Sequence, residues 1–290
     1  MPKKKFLSQI ARFTLFFIFL FSPALPAQEK NTPYILVSIA PHEFFVKKIA
    51  GDTVKIGLMV PAGASAHTYE PSPRQMLQVA NATLWFRMGE PFEGKAIPAL
   101  KSHNPSLQVV DLRAGLNLIK PECLHSCCSA HAFDPHFWLS ARLARTQAET
   151  IASTLIKLYP EYTALYLDNL NKFRDELVQL DQTIQKILEP IQNRNILVSH
   201  PAYAYFCRDY NLKQYSIEFE GKDPTPQQLH YILNLGRDLK IKTIFIQKQY
   251  SSKGACLIAD EIKAKVVTLD PYSERYIDTM LEIARAFSKG

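Results

Sequence analysis

Four residues of this chain have the type and setting to grip a metal ion together: His67, His136, His200 and Asp270. His136 stands in Asp134-Pro135-His136-Phe137-Trp138-Leu139-Ser140. The proline fixes the local backbone, and the Phe-Trp pair is bulky enough to exclude water and lock the imidazole's rotamer. An immobilised imidazole in a dry setting is what a metal site needs from a ligand, although a single histidine among aromatics is more often a satisfied core residue. The three companions shift that balance. His67 lies in the loop 64–73, His200 directly follows the apolar run 196–199, and Asp270 directly follows 266–269. Three neutral imidazoles and one carboxylate form a compact set suited to zinc, whereas a second carboxylate in place of His200 would favour a harder ion such as manganese. Affinity order alone would also admit copper and nickel in vitro, so selectivity must come from geometry and supply.

A second group is softer. Cys123, His125, Cys127, Cys128 and His131 fall within nine positions, a density that suits zinc but equally suits a surface loop with one local disulfide. The chain has five cysteines, an odd number for an exported protein, and Cys207 and Cys256 are candidates for a bridge. Three histidines with an open position could also activate water, which makes a zinc hydrolase the rival from another class. Such an enzyme needs a placed general base, and the sequence has no His-Glu-x-x-His helix. Among the remaining candidates, His42 reads as a helix-start or surface residue, His103 and His230 as solvated, and Glu70 as a surface acid. Phe137 and Trp138 suit either the pocket wall or the core, and Tyr203 stands within possible reach of a ligand.

The elements that must position these residues alternate. Apolar, β-branched runs at 34–40, 54–60, 82–88 and 107–112 predict strands, with helices at 41–51 and 73–81. The second half repeats the scheme: strands at 196–199, 243–246 and 266–269, and helices after His200 and at 224–240, 255–264 and 274–287. Strands alternating with helices imply parallel sheets with ligand sites at the strands' carboxyl ends, where all four candidate ligands fall. Between the halves, Leu165, Leu167, Leu170, Phe173, Leu177, Leu180, Ile184 and Leu188 recur mostly at three- and four-residue steps from 161 to 188. One long helix there restricts hinge motion far more than a flexible linker would.

The N-terminus carries Lys3, Lys4, Lys5 and Arg12 before an apolar run at 13–21 and small residues and prolines through Ala27, the layout of a secretory signal peptide. The run is too short to span a bilayer as a mature helix. Those four charges account for more than half of the formal net charge of +7, and what remains argues against a nucleic-acid partner. The expected organisation is a leader at 1–27, an α/β lobe at 28–159 with the Cys/His-rich loop 120–131, a linking helix at 160–189 and a second α/β lobe at 190–290.

The ordered set Pro61-Ala62-Gly63…His67-Thr68-Tyr69-Glu70-Pro71-Ser72-Pro73, Asp134-Pro135-His136-Phe137-Trp138-Leu139, Ser199-His200-Pro201-Ala202-Tyr203-Ala204-Tyr205-Phe206 and Leu269-Asp270-Pro271 resembles the motifs of the periplasmic metal-binding solute receptors of bacterial ABC importers. The similarity runs from about residue 35 to the C-terminus. It implies two small α/β lobes joined by one long rigid helix, with the metal in the inter-lobe cleft. It also implies a monomer that carries its ion to an ABC-transporter permease and catalyses nothing. In the zinc branch the third ligand is a histidine, which His200 matches, so Zn2+ is the implied cargo; manganese and iron branches usually carry glutamate there. Residues 120–131 look like a short, cysteine-containing version of the metal-rich loop of that branch. The chain departs from the pattern at Gln247, where the family often has glutamate, and at Pro271-Tyr272 in place of Pro-Leu.

Overall fold

The computed structural model describes residues 32–120, 133–218 and 224–290. The expected leader and the cysteines and histidines at 123–131 therefore lie outside the described residues.

The N-terminal lobe runs β1 (Tyr34–Val37), α1 (Ala40–Ala50), β2 (Lys55–Leu58), α2 (Pro73–Gln78), β3 (Leu84–Arg87), α3 (Pro91–His103) and β4 (Gln108–Asp111). Helices α4 (Ala141–Leu158) and α5 (Thr163–Leu188) follow. The C-terminal lobe runs β5 (Asn195–Val198), α6 (Ala204–Asp209), β6 (Lys213–Ser216), α7 (Pro226–Asp238), β7 (Thr243–Gln247), α8 (Lys253–Ile262), β8 (Lys265–Leu269) and α9 (Tyr276–Phe287). Each lobe holds a four-stranded sheet, ordered β2-β1-β3-β4 and β6-β5-β7-β8, with every pairing parallel. In both, the chain first adds a strand on one side of the leading strand and then crosses to the other. The resulting switch point, between β1 and β3 and between β5 and β7, opens a crevice at the strands' carboxyl ends.

Local chemistry sets the helix starts. Pro41 and Pro73 stand in first turns, and the Ser72 hydroxyl accepts from Gln75 N–H. Ser140 caps α4 through Leu143 N–H, and Thr225 with Gln228 forms a capping box on α7. Helix α5 has 26 residues and buries Tyr166, Phe173, Leu177, Leu180, Ile184 and Leu188, one stripe at helical period. That stripe lies against α1 and α4 on one side and α9 on the other, so the rod is packed into both lobes.

Two expectations about elements need adding to. Helix α3 was not expected, because Gly94 and Pro98 break its pattern; β6 was not, because its four residues, Lys-Gln-Tyr-Ser, form a half-exposed edge strand. His42 is the clearest difference. It is fully buried, its ring near-parallel to Phe137 with centroids 5.8 Å apart, and its Nε2 is 3.0 Å from Gln147 Oε1. The start of α1 faces inward under the turn that carries His136, so this position is core. Cys207 is buried and Cys256 exposed, and both are free thiols.

Candidate metal centre

His67 arrives on the loop after β2, His200 on the turn after β5, and His136 on the turn that leads through a short 3-10 helix (Phe137–Leu139) into α4. The three side chains meet. His67 Nε2 lies 3.2 Å from His136 Nε2 and 3.3 Å from His200 Nε2, and one ligand atom from each of the three fits within a 4.8 Å span. A tetrahedral zinc site with Zn–N bonds of about 2.0–2.1 Å sets its donors roughly 3.3–3.4 Å apart. The two spacings from His67 match that requirement.

What aims the nitrogens is a carboxylate behind each ring. His67 Nδ1 is 2.9 Å from Glu90 Oε2, His136 Nδ1 is 2.7 Å from Asp134 Oδ1, and His200 Nδ1 is 2.7 Å from Glu218 Oε2. An ionised carboxylate only accepts, so the Nδ1 that faces it carries a proton and Nε2 is left as the inward, metal-facing nitrogen of each ring. Three lone pairs converging in a mostly buried space repel one another unless a cation sits between them.

The carboxylates are held in turn. Asp134 also accepts from His136 N–H, and its carbonyl accepts from the Tyr205 hydroxyl on α6. The Glu90 side chain is fully buried at the end of β3, on a turn shaped by Glu93. The Glu93 carboxylate accepts from Met88 N–H at 2.9 Å, Gly89 N–H at 2.7 Å and the Ser38 hydroxyl at 2.5 Å, with Arg87 Nε at 3.2 Å. Burial pushes the Glu93 carboxyl up, against the pull of those donors and of Arg87. Gly89 has φ +104, and a Cβ there would come within 2.3 Å of the Arg113 guanidinium, so this turn needs glycine.

The proton affinities of the trio diverge. At His67, burial lowers the pKa, but the Glu90 hydrogen bond and the charges of Glu90, Asp134 and Glu218 outweigh it and the net shift is upward. At His200, burial and the neighbouring His136 and His67 rings dominate the Glu218 hydrogen bond and bring the pKa down to about 4. A proton entering this cluster therefore settles on His67 in preference to His200, and it competes there with a metal.

Asp270 is placed differently. Its Oδ1 accepts from Gln249 Nε2 at 2.8 Å and its Oδ2 lies 3.5 Å from Lys248 Nζ, outside the three-histidine cluster. The side of His200 is instead covered by Tyr250, whose ring stacks on the imidazole with centroids 4.0 Å apart and planes 13° apart. Trp138 is both core and pocket wall: its ring is 5.3 Å from His136, and its Nε1 donates to Pro271 carbonyl across the lobes. Tyr203 is buried and directs its backbone N–H to Gln214. Glu70 pairs with Lys95 at the surface, and His103 and His230 are exposed. Glu90, Glu218 and Tyr250 were not singled out from the sequence. For the two glutamates the available signal was position, since each closes a strand carboxyl end in the same crevice as a candidate histidine.

Residues 35–290 match the family model described as "Zinc-uptake complex component A periplasmic". The chain belongs to this zinc-uptake family. Its relatives include a Chlamydia muridarum protein named only for metal binding, 33% identical over 95% of this chain and 96% of that one. A crystal structure of ZnuA superposes with a TM-score of 0.84 at 35% identity, covering 90% of this chain and 99% of the other. A ZnuA deletion mutant with zinc bound gives a TM-score of 0.83 at 34% identity, covering 89% and 97%. The family is one of zinc-binding receptor components rather than enzymes, and its members are periplasmic. The expected architecture, two parallel-sheet lobes on one long helix, is the one this family has.

Proposed function

We propose that the protein captures Zn2+ between His67, His136 and His200 in the periplasm and hands it to the membrane permease of an ABC importer. The observation that carries this reading is the trio itself: His67 Nε2 at tetrahedral donor spacing from the Nε2 of His136 and of His200, and each ring backed by a carboxylate on Nδ1. The metal is cargo. Among the described residues, the three carboxylates that touch the trio are each engaged with a ring Nδ1, where a hydrolase would need one aimed at its water. Three nitrogens also disfavour manganese or iron as cargo relative to zinc. Asp270 is the fourth ligand in reserve: Gln249 and Lys248 hold its carboxylate, and while they do the fourth position takes a water. Residues 1–27 act as the export signal, and the mass of the mature protein reports their removal. The receptor works as a monomer.

Calorimetric zinc titration of the protein beside His200→Ala and Asp270→Asn tests the assignment. Loss of tight binding in His200→Ala, with no more than about a ten-fold weakening in Asp270→Asn, is expected if the trio is the main site. Unchanged tight binding in His200→Ala would move the metal elsewhere and end this reading.

A further inference from the structure

The turn after β7 meets the metal centre from the C-terminal lobe with three consecutive side chains. Lys248 and Gln249 hold the Asp270 carboxylate, at 3.5 and 2.8 Å. Tyr250 lies flat against His200, its centroid 4.0 Å from the imidazole and 6.3 Å from that of His67. Its hydroxyl accepts from Ser65 Oγ at 3.2 Å, and Ser65 belongs to the N-terminal loop that delivers His67. One side chain thus covers a ligand of its own lobe and is tied to the loop of another.

We propose that Tyr250 sets the coordination number and the release rate of the bound ion. The proposal rests on the trio being the zinc site. An ion bound by His200 Nε2 lies near the imidazole plane, beyond the ring. The Tyr250 ring covers that imidazole within 13° of its plane, and an aromatic face offers a metal no donor. Zinc asks for one ligand beyond the three histidines, whereas a six-coordinate ion such as Mn2+ asks for three. A wall on the His200 flank is tolerable to the first and costly to the second. In this proposal the same wall slows the ion's departure, and the Ser65 contact fastens it. Because Gln249 and Lys248 share the turn, shifting it uncovers His200 and frees Asp270 in one movement. Tyr250 is a positioning residue in this scheme, acting through space and through His200 rather than by ligation.

The test compares wild type, Tyr250→Ala and Tyr250→Phe in the full protein by three readouts: zinc release into excess chelator, the visible spectrum with Co2+, and the ratio of Mn2+ to Zn2+ dissociation constants. Tyr250→Ala should release zinc about ten-fold faster and lose about ten-fold in its preference for zinc over manganese. Its Co2+ spectrum should pass from the intense bands of a four-coordinate ion to the weak bands of higher coordination. Tyr250→Phe keeps the stacked face and loses the Ser65 contact, so it should retain the spectrum and the preference while releasing zinc a few-fold faster. A Tyr250→Ala protein that matches wild type in all three readouts overturns the proposal, as does a Tyr250→Phe protein with wild-type release for the Ser65 fastening. If Tyr250→Ala does not fold, Tyr250→Ser, which also opens the His200 flank, takes its place with the same expectations. His200→Ala run alongside separates the two levels. Zinc binding lost there but unaltered by Tyr250 substitution refutes only the role of Tyr250; binding retained in His200→Ala refutes the site and this proposal together.

Discussion

In the N-terminal lobe, Phe45, Val46, Trp85 and Phe86 belong to one buried cluster that continues through α4 and α5 into Tyr203, Phe206, Met280 and Phe287 on the inner side of the C-terminal lobe. The outer side of the second sheet is different. Leu197, Ile217, Ile232, Ile241, Ile244, Ala255, Ile258 and Ala259 make a separate small cluster beneath α7 and α8. The two sheets have the same strand order, yet among the described residues one layer stands apart from the common core. His67 and His136 are fixed to the common core. Glu218 and Tyr250 leave the sheet on segments that lead into the separate α7–α8 layer. A carrier must hold its ion firmly and also let it go, and this division offers a rigid pair of ligands facing a side that can yield with less loss of packing.

The largest effects should come from the common core. Trp138→Ala removes a fully buried ring that touches His136 and Tyr272 and donates to Pro271 across the lobes. A loss of about 3–5 kcal/mol is expected, a large share of a typical folding free energy, and tight zinc binding should go with it. Ile258→Ala, in the small cluster, should cost about 2–4 kcal/mol by local opening. Hydrogen exchange should then speed up in α7 and α8 and stay unchanged in α4 and α5. Equal acceleration in all four helices would show that the layers are not separate.

Within the site, the same contrast predicts an order among the carboxylates. Glu90→Gln and Glu218→Gln each keep an oxygen for the histidine but lose the charge that fixes the tautomer, at a cost of about 10–100-fold in zinc affinity. Glu90 should stand at the upper end. Its side chain is fully buried on the turn braced by Glu93, whereas that of Glu218 retains 12% of its exposure and precedes the α7–α8 layer, where adjustment is cheaper. Parallel zinc titrations decide it, and a larger loss at Glu218 would break the comparison.

Much of this was legible in the sequence because it depends on period and order. Apolar runs separated by helical patterns dictate parallel sheets, and parallel sheets put loop residues such as His67 and His200 at one edge. The long stripe from Leu170 to Leu188 reads as a helix for the same reason. What depends on distance between remote segments was not legible. Their strand-end positions put Glu90 and Glu218 in the right crevice, but position alone does not pair each with a histidine 23 and 18 residues away. Tyr250 is 50 positions from the ring it covers and 185 from the serine that ties it. Asp270 shows the converse: its strand-end position was read correctly, but its carboxylate is taken by Gln249 and Lys248, and a choice among nearby partners is settled by packing rather than by pattern. His42 looked like a surface residue because a histidine beside a helix start usually is one; the Phe137–Trp138 platform that buries it comes from 95 positions away.

His42 supplies the smallest effect and the one most specific to the N-terminal side. Burial lowers its pKa to about 4, and the Gln147 hydrogen bond only partly opposes this. In the unfolded chain the ring titrates near 6.5, so between about pH 6.5 and 4 the unfolded state binds more protons than the folded one. The sign follows: the stability His42 contributes is complete above pH 6.5 and is lost as the pH falls towards 4. At pH 5 the loss is about 2 kcal/mol. His200, also lowered to about 4, adds to the loss in the same window, while His67, shifted upward, works against it. Isolating His42 therefore needs a difference measurement. His42→Asn keeps an N–H for Gln147 and cannot titrate, so its urea midpoint should fall less between pH 7 and pH 5 than that of the wild type, both without metal. The trio is unchanged in this variant, so its contribution cancels. Identical pH dependence in the two proteins would mean that the core beneath His136 accepts a proton without cost, and the rigid side of the comparison would lose its strongest internal marker.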